Sequence, residues 1–298
     1  MDIFNYLENV PGLFISICGI LGLLVGSFAN VVILRLPVMM KRQWQEQCAS
    51  LSAPDTAEKN TELETDRQAK FNLAYPPSHC PKCSHRIRAW ENIPVISYLV
   101  LRGRCSGCGQ PIPLRYPVTE AACGVLSVIV AWHFGFGWQA AAALILTWGL
   151  LILSVIDIDH QLLPDSITLP LLWLGLILSL FDVFVDSHAA ILGAAIGYLS
   201  LWMVFHIFRL LTGKEGMGFG DFKLLAVFGA WLGWQHLLTV ILLSSLVGAC
   251  VGILMITLRG HDRQIPIPFG PYLATAGWVS LLWGNAILAA YMNWAGIH

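Results

Sequence analysis

Apolar and polar residues fall in long blocks along this chain. Eight apolar stretches, at about 13–34, 117–134, 139–156, 167–185, 189–211, 222–235, 237–258 and 269–294, are separated by short polar or glycine-rich segments. Most approach the roughly 20 residues that an α-helix needs to cross a hydrocarbon core about 30 Å thick. The pattern predicts an all-α polytopic membrane protein of about eight transmembrane helices. The stretch at 222–235 fits least well, since its 14 residues cover only about 21 Å as a helix.

Composition agrees with this class. The 298 residues are 56% hydrophobic and 12% charged, with a mean hydropathy of +0.68, which places the chain among membrane proteins rather than soluble globular ones. The first stretch has acidic residues before it and no small-residue cleavage site, so it reads as a retained helix. It carries Gly22 and Gly26, then Ser27 and Asn30, a spacing suited to a face packed on another helix.

The net charge of −1 is uninformative, but its distribution is not. Of 17 Lys and Arg, twelve lie between Arg35 and Arg115, and the rest are Arg209, Lys214, Lys223, Arg259 and Arg263. Eight spans put all 17 on one side, which the positive-inside rule makes cytoplasmic, with both termini on the opposite, periplasmic face. The chain then divides into a first transmembrane helix (1–35), a cytoplasmic module (36–116) and a seven-helix membrane domain (117–298). Within the module, residues 41–70 are polar and mixed in charge and predict a mobile insert or a loose helix.

The module also contains Cys80-Pro-Lys-Cys83 and Cys105-Ser-Gly-Cys108, a C-x2-C-x21-C-x2-C spacing. Two such knuckles supply four thiolates for a closed, structural Zn(II) site. Two disulfides or redox pairs are the alternatives; a reducing cytoplasm disfavours the first, and no βαβ pattern supports the second. A module this small would take much of its folding energy from the metal. Cys18, Cys123 and Cys250 lie within spans and read as packing residues.

Chemistry is expected among acids at membrane depth, where an unpaired carboxylate is costly and seldom idle. SVIDIDHQLLPDSITLP holds Asp157, Asp159 and Asp165, and GMGFGDFK holds Asp221. Asp157 and Asp159 point in nearly opposite directions on a helix. Asp157 follows the apolar run, whereas Asp159 and His160 read as interfacial. Asp165, beside Pro164 and before a new apolar run, reads as a helix cap. Asp182 and Asp186 read as solvated at the far face. Lys223 reads as an interfacial side chain or a partner for a carboxylate or phosphate. Asp221 reads either as a helix cap on a glycine-rich loop or, with Asp157, as half of a pair in which one carboxyl keeps a proton and the other is charged. Such a pair can deprotonate water and protonate a leaving amine. A proton-coupled transporter also needs buried acids, and a non-enzymatic assembly protein remains a third reading.

Four elements occur in order over essentially the whole chain: GSFANVVILRLP (26–37), the paired CxxC module, IDIDHQLLPD (156–165) and GMGFGDFK (216–223). Together they resemble the type IV prepilin peptidases, the prepilin leader peptidase/N-methyltransferases, whose GxGD element is shared by other intramembrane aspartyl proteases. The resemblance implies an aspartic endopeptidase of the bacterial inner membrane with Asp157 and Asp221 as catalytic residues. It implies cleavage of a basic leader after a glycine on prepilins and pseudopilins, then N-methylation of the new N-terminus with S-adenosylmethionine as donor. It implies zinc-type cysteines at Cys80, Cys83, Cys105 and Cys108. The partners implied are prepilin and pseudopilin precursors and the lipid bilayer, with no nucleic acid. No Rossmann-type glycine fingerprint is visible, so the residues for the methyl donor stay unassigned.

Overall fold

The computed structural model describes residues 7–52, 71–214, 216–259, 268–294 and 296. Its helices are α1 (Pro11–Ser52), α2 (Ile96–Val100), α3 (Arg115–Phe134), α4 (Trp138–His160), α5 (Asp165–Ser179), α6 (Ser187–Thr212), α7 (Phe219–Leu232), α8 (Leu237–Arg259) and α9 (Gly270–Trp294). All eight apolar stretches are helical. Among the described residues, however, six segments are long and apolar enough to cross a membrane: α1, α3, α4, α6, Trp234–Met255 and Gly270–Asn293. The other two helices, α5 with 15 residues and α7 with 14, span only about 21–22 Å. The expected crossing at 167–185 ends as a helix at Ser179, and a turn follows it.

The described residues cluster as two compact units, one of residues 15–128 and the other of the N-terminal residues to 14 together with 129–298. In the first unit, α1 does not stop where its apolar run stops. It passes through Pro37 and ends at Ser52, 42 residues in all, or about 63 Å. Residues 41–52, expected to be a mobile insert or loose helix, are the last turns of α1; residues 53–70 lie outside the described residues. The predicted small-residue face packs against α3. A Cβ at Gly26 would lie 2.8 Å from the Glu120 Cα, and one at Gly19 would lie 2.8 Å from Val128. Asn30 donates to the Tyr116 carbonyl at 3.1 Å. Beyond the apolar run, Arg35 donates to the carbonyls of Asn72, Leu73 and Pro76 at 3.0, 3.3 and 2.7 Å. This lashes residues 72–76 to α1 where its polar part begins. Cys18 and Cys123 are buried as expected, but Cys250, in the other unit, is exposed, so it fills no core.

The second unit is built round α7, whose residues from Asp221 to Leu232 are buried except for Lys223. Glycines make this possible, because they let backbones approach where any side chain would hold them apart. A Cβ at Gly197 would lie 2.8 Å from the Leu225 carbonyl, and Gly193 and Gly229 meet backbone to backbone, so α6 and α7 touch along their main chains. On another side, the Trp231 indole donates to the Leu171 carbonyl of α5 at 2.8 Å. Trp278 of α9 donates to Thr147 of α4 at 3.0 Å. Asp186, read as solvated, caps α6 by accepting from the Ala189 N–H at 3.0 Å.

Gly229→Val should therefore force α6 and α7 apart and lower stability by about 3 kcal/mol or more, the upper end of the overpacking range. Thermal unfolding in detergent checks this, and an unchanged midpoint would contradict the packing.

Candidate functional site

Asp157 belongs to the last turn of α4. Gln161 closes that helix in the left-handed region (φ 53°) with its N–H on the Asp157 carbonyl. The turn fixes which carboxylate faces inward: Asp157 is 6% exposed, while Asp159 and His160, one and two steps from its neighbour Ile158, lie on the exposed side. The Asp157 Oδ2 accepts the N–H of Gly270, the first residue of α9, at 3.0 Å. Helix N-termini carry unpaired N–H donors and a partial positive charge, so a carboxylate there is well placed. Gly270 has to lack a side chain, since a Cβ on it would lie 2.6 Å from Asp157 Oδ2.

Asp221 is the third residue of α7 and is 7% exposed. Its carboxyl turns back to the Gly218 backbone, and it lies close enough to Asp157 for the two charges to act on each other. The cap-like contact with Gly218 and the buried pairing therefore coexist, where the residues alone offered them as alternatives. The middle of the glycine pattern has a steric cause. A Cβ at Gly220 would meet Leu163 Cβ at 2.7 Å, and one at Gly270 would meet the same Leu163 side chain at 3.2 Å. Leu163, in the turn between α4 and α5, is thus wedged between the start of α7, which carries Asp221, and the start of α9, which binds Asp157.

A second contact ties α7 to α5. Lys223, one turn into α7, donates to both carboxylate oxygens of Asp165 at 2.7 Å. Asp165 is the first residue of α5, and the N-cap is Pro164, so Asp165 serves as the lysine's partner rather than as the cap. The C-terminal end of α4 and the N-terminal ends of α5, α7 and α9 thus meet at one end of the unit. Sequence reasoning missed Gly270 and Leu163. The Gly-Pro step at 270–271 signals a helix start, but nothing in the sequence names the distant carboxylate that start would receive.

In the other unit, the four cysteines sit on two matching knuckles. The Cys80 N–H donates to the His85 carbonyl and the Ser84 N–H to the Cys80 carbonyl, both at 2.9 Å. The Cys105 N–H donates to Gln110 at 2.8 Å and Gly109 returns to Cys105 at 2.9 Å. The returning residue takes a positive φ in each knuckle, 57° at Ser84 and 69° at Gly109. The Sγ atoms of Cys80, Cys83, Cys105 and Cys108 all lie within 4.8 Å of one another. The Cys80–Cys108 and Cys83–Cys105 separations are 3.8 and 4.0 Å, far from a disulfide. A regular tetrahedron of sulfurs about 2.3 Å from a metal has edges of about 3.8 Å, so the donor set fits a tetrahedral ion. Backbone N–H groups of Cys83 and Lys82 hold the Cys80 thiol down to about 6, while Cys83, against its backbone bond at His85, is pushed up to about 12 by burial and the neighbouring cysteines, so the cluster by itself favours one thiolate rather than four. Ser106 and His85 both bond to Glu91. The Arg88 N–H, Ser106 and His85 hold the Glu91 carboxyl below its ordinary range.

Residues 20–134 match the family model described as the bacterial Peptidase A24 N-terminal domain, and residues 144–253 match that of the Type IV leader peptidase family. The chain is 57% identical over 292 residues to a prepilin leader peptidase/N-methyltransferase of Stutzerimonas stutzeri, covering 98% of each chain. It is 56% identical over 297 residues to one of Pseudomonas aeruginosa, covering 99% of each. A Legionella pneumophila relative of the same description is 44% identical over 286 residues, covering 96% of this chain and 97% of its own. No solved structure matches.

The knuckles give a direct expectation. The purified protein should hold about one divalent metal ion per chain, bound by four thiolates. Cys80→Ser with Cys108→Ser should remove it, as measured by atomic emission. A full equivalent retained by the double variant would contradict the site.

Proposed function

Because the chain belongs to the Type IV leader peptidase family, as a relative of the prepilin leader peptidase/N-methyltransferases, we propose that Asp157 and Asp221 are the two carboxyls that cut the leader. Its function is that of a type IV prepilin leader peptidase and N-methyltransferase, in a multi-pass membrane protein. The observation that carries the assignment is the pairing of two buried carboxyls from α4 and α7 at one end of the helical unit.

Two adjacent buried carboxyls cannot both ionise cheaply, so the pair works with one proton between them. The ionised member takes a proton from a water, whose oxygen attacks the scissile carbonyl carbon. The protonated member gives its proton to the carbonyl oxygen, forming a tetrahedral diol. As the diol collapses, the C–N bond breaks and the leaving amine takes a proton from the pair. No covalent bond forms between the enzyme and the substrate. The Gly270 N–H holds one oxygen of Asp157 and leaves the other to face the water. The Lys223–Asp165 ion pair and Leu163 hold the two acidic segments in register.

The finer assignments follow the same reading. The substrates are prepilins and pseudopilins, cut after a glycine at the cytoplasmic face of the bacterial inner membrane. α5 and α7 count as short crossings, the second enclosed by protein, which gives eight in all and puts every Lys and Arg on the cytoplasmic side with both termini periplasmic. Zinc at Cys80, Cys83, Cys105 and Cys108 supplies folding energy to the module between residues 36 and 116, and cleavage belongs to residues 117–298. S-adenosylmethionine supplies the methyl group for the new N-terminal amine.

In a membrane assay of prepilin cleavage, Asp157→Asn and Asp221→Asn should each slow the cut by about 1,000-fold or more, within the range for lost general acid–base groups, while both proteins still insert. Gly270→Ala should slow it about 10- to 100-fold through displacement of Asp157. A near wild-type rate for either asparagine variant would remove that aspartate from the mechanism.

A further inference from the structure

We propose that α2 and the residues beside it are an interfacial anchor, immersed in the lipid–water boundary of the bilayer that α1 and α3 cross.

Depth comes from the packing of α1 on α3. The apolar run of α1 ends at Arg35. Gly26 faces the Glu120 Cα, so Glu120 starts about 13 Å inside that charge, nine residues at 1.5 Å each. Side chains slant toward the helix N-terminus, which brings the Glu120 carboxyl back toward the level of Asn30 and Tyr116. There it accepts the N–H of Val95 at 2.8 Å. Val95 is the residue from which α2 starts, held at φ 58°, a region that β-branched residues avoid. A buried carboxylate of α3 thus pins the start of α2 level with the apolar part of α1 rather than out in the water.

Exposure and charge agree with that level. α2 has no buried residue, and Ile96, Leu99 and Val100 are 58, 68 and 69% exposed. A segment with three uncovered aliphatic side chains fits water badly and fits the outer acyl region well. Trp90, 49% exposed, supplies the aromatic residue that favours this boundary. Arg102 and Arg104 follow α2 and are exposed. From Phe71 to Tyr116 there are six Lys and Arg against one acidic residue, Glu91. A basic surface carried at the level of the headgroups complements anionic lipid. The four-cysteine module is then held to the membrane in two ways, by Arg35 on α1 and by α2 in the lipid.

The test uses the full-length protein in vesicles of phosphatidylethanolamine and phosphatidylglycerol. A diazirine-bearing amino acid replaces Leu99 in one sample and exposed Lys82, on the first knuckle, in another. After irradiation, lipid adducts at position 99 should exceed those at position 82 by about fivefold or more. In phosphatidylcholine vesicles the yield at 99 should fall about threefold. Equal lipid yields at the two positions, or adducts at 99 with peptides of this chain or a second copy, would overturn the proposal. An unchanged yield in phosphatidylcholine would overturn its headgroup part.

Discussion

A carboxylate cannot rest against hydrocarbon without a large penalty, so the helix that carries Asp221 has to be enclosed by protein. Most of the second unit follows from that constraint. α7 is buried along nearly its whole length, and a helix so enclosed does not need the length of one that faces lipid. Its neighbours reach it through glycine: Gly193 and Gly197 of α6 accept the α7 backbone directly. The hydrogen bond from Trp231 to α5 fixes its rotation, and that rotation turns Asp221 toward the end of α4 where Asp157 lies.

Much of this was legible in the sequence because it is local. Apolar runs mark helices regardless of what surrounds them, and the eight stretches are all helical. The CxxC spacing foretold two knuckles because a tight turn fixes the distance between its two thiols. The split between buried Asp157 and exposed Asp159 followed from the 100° step of a helix. What could not be read depends on partners far apart in the chain. Gly270 lies 113 residues from the carboxylate it serves, and Asp165 lies 58 from Lys223; no periodicity links either pair. The 14-residue length of α7 was legible, but the early end of α5 at Ser179 was not. An apolar run reports that a segment avoids water, but not whether protein or lipid covers it. The continuation of α1 to Ser52 was left open between a mobile insert and a loose helix, because its polar second half lacks the apolar signal that identified the first.

The two units hold their polar groups in different ways. In the second unit two carboxyls are sheltered where the ends of α4, α5, α7 and α9 converge. The cysteine module instead has little core of its own. It is held by the backbone bonds of its two knuckles, by Arg35 bonded to three carbonyls and by the Glu120–Val95 bond. Each of these restraints holds a segment that its own apolar contacts would leave loose.

On the mechanism proposed, Asp157 and Asp221 act on one bond as a single unit. The most direct measurement is the prepilin cleavage rate of the double variant, Asp157→Asn with Asp221→Asn, compared with each single variant. Groups that work as a unit are strongly non-additive, so the double variant should be no slower than the worse single one. Losses that multiply would show two independent contributions and contradict the account.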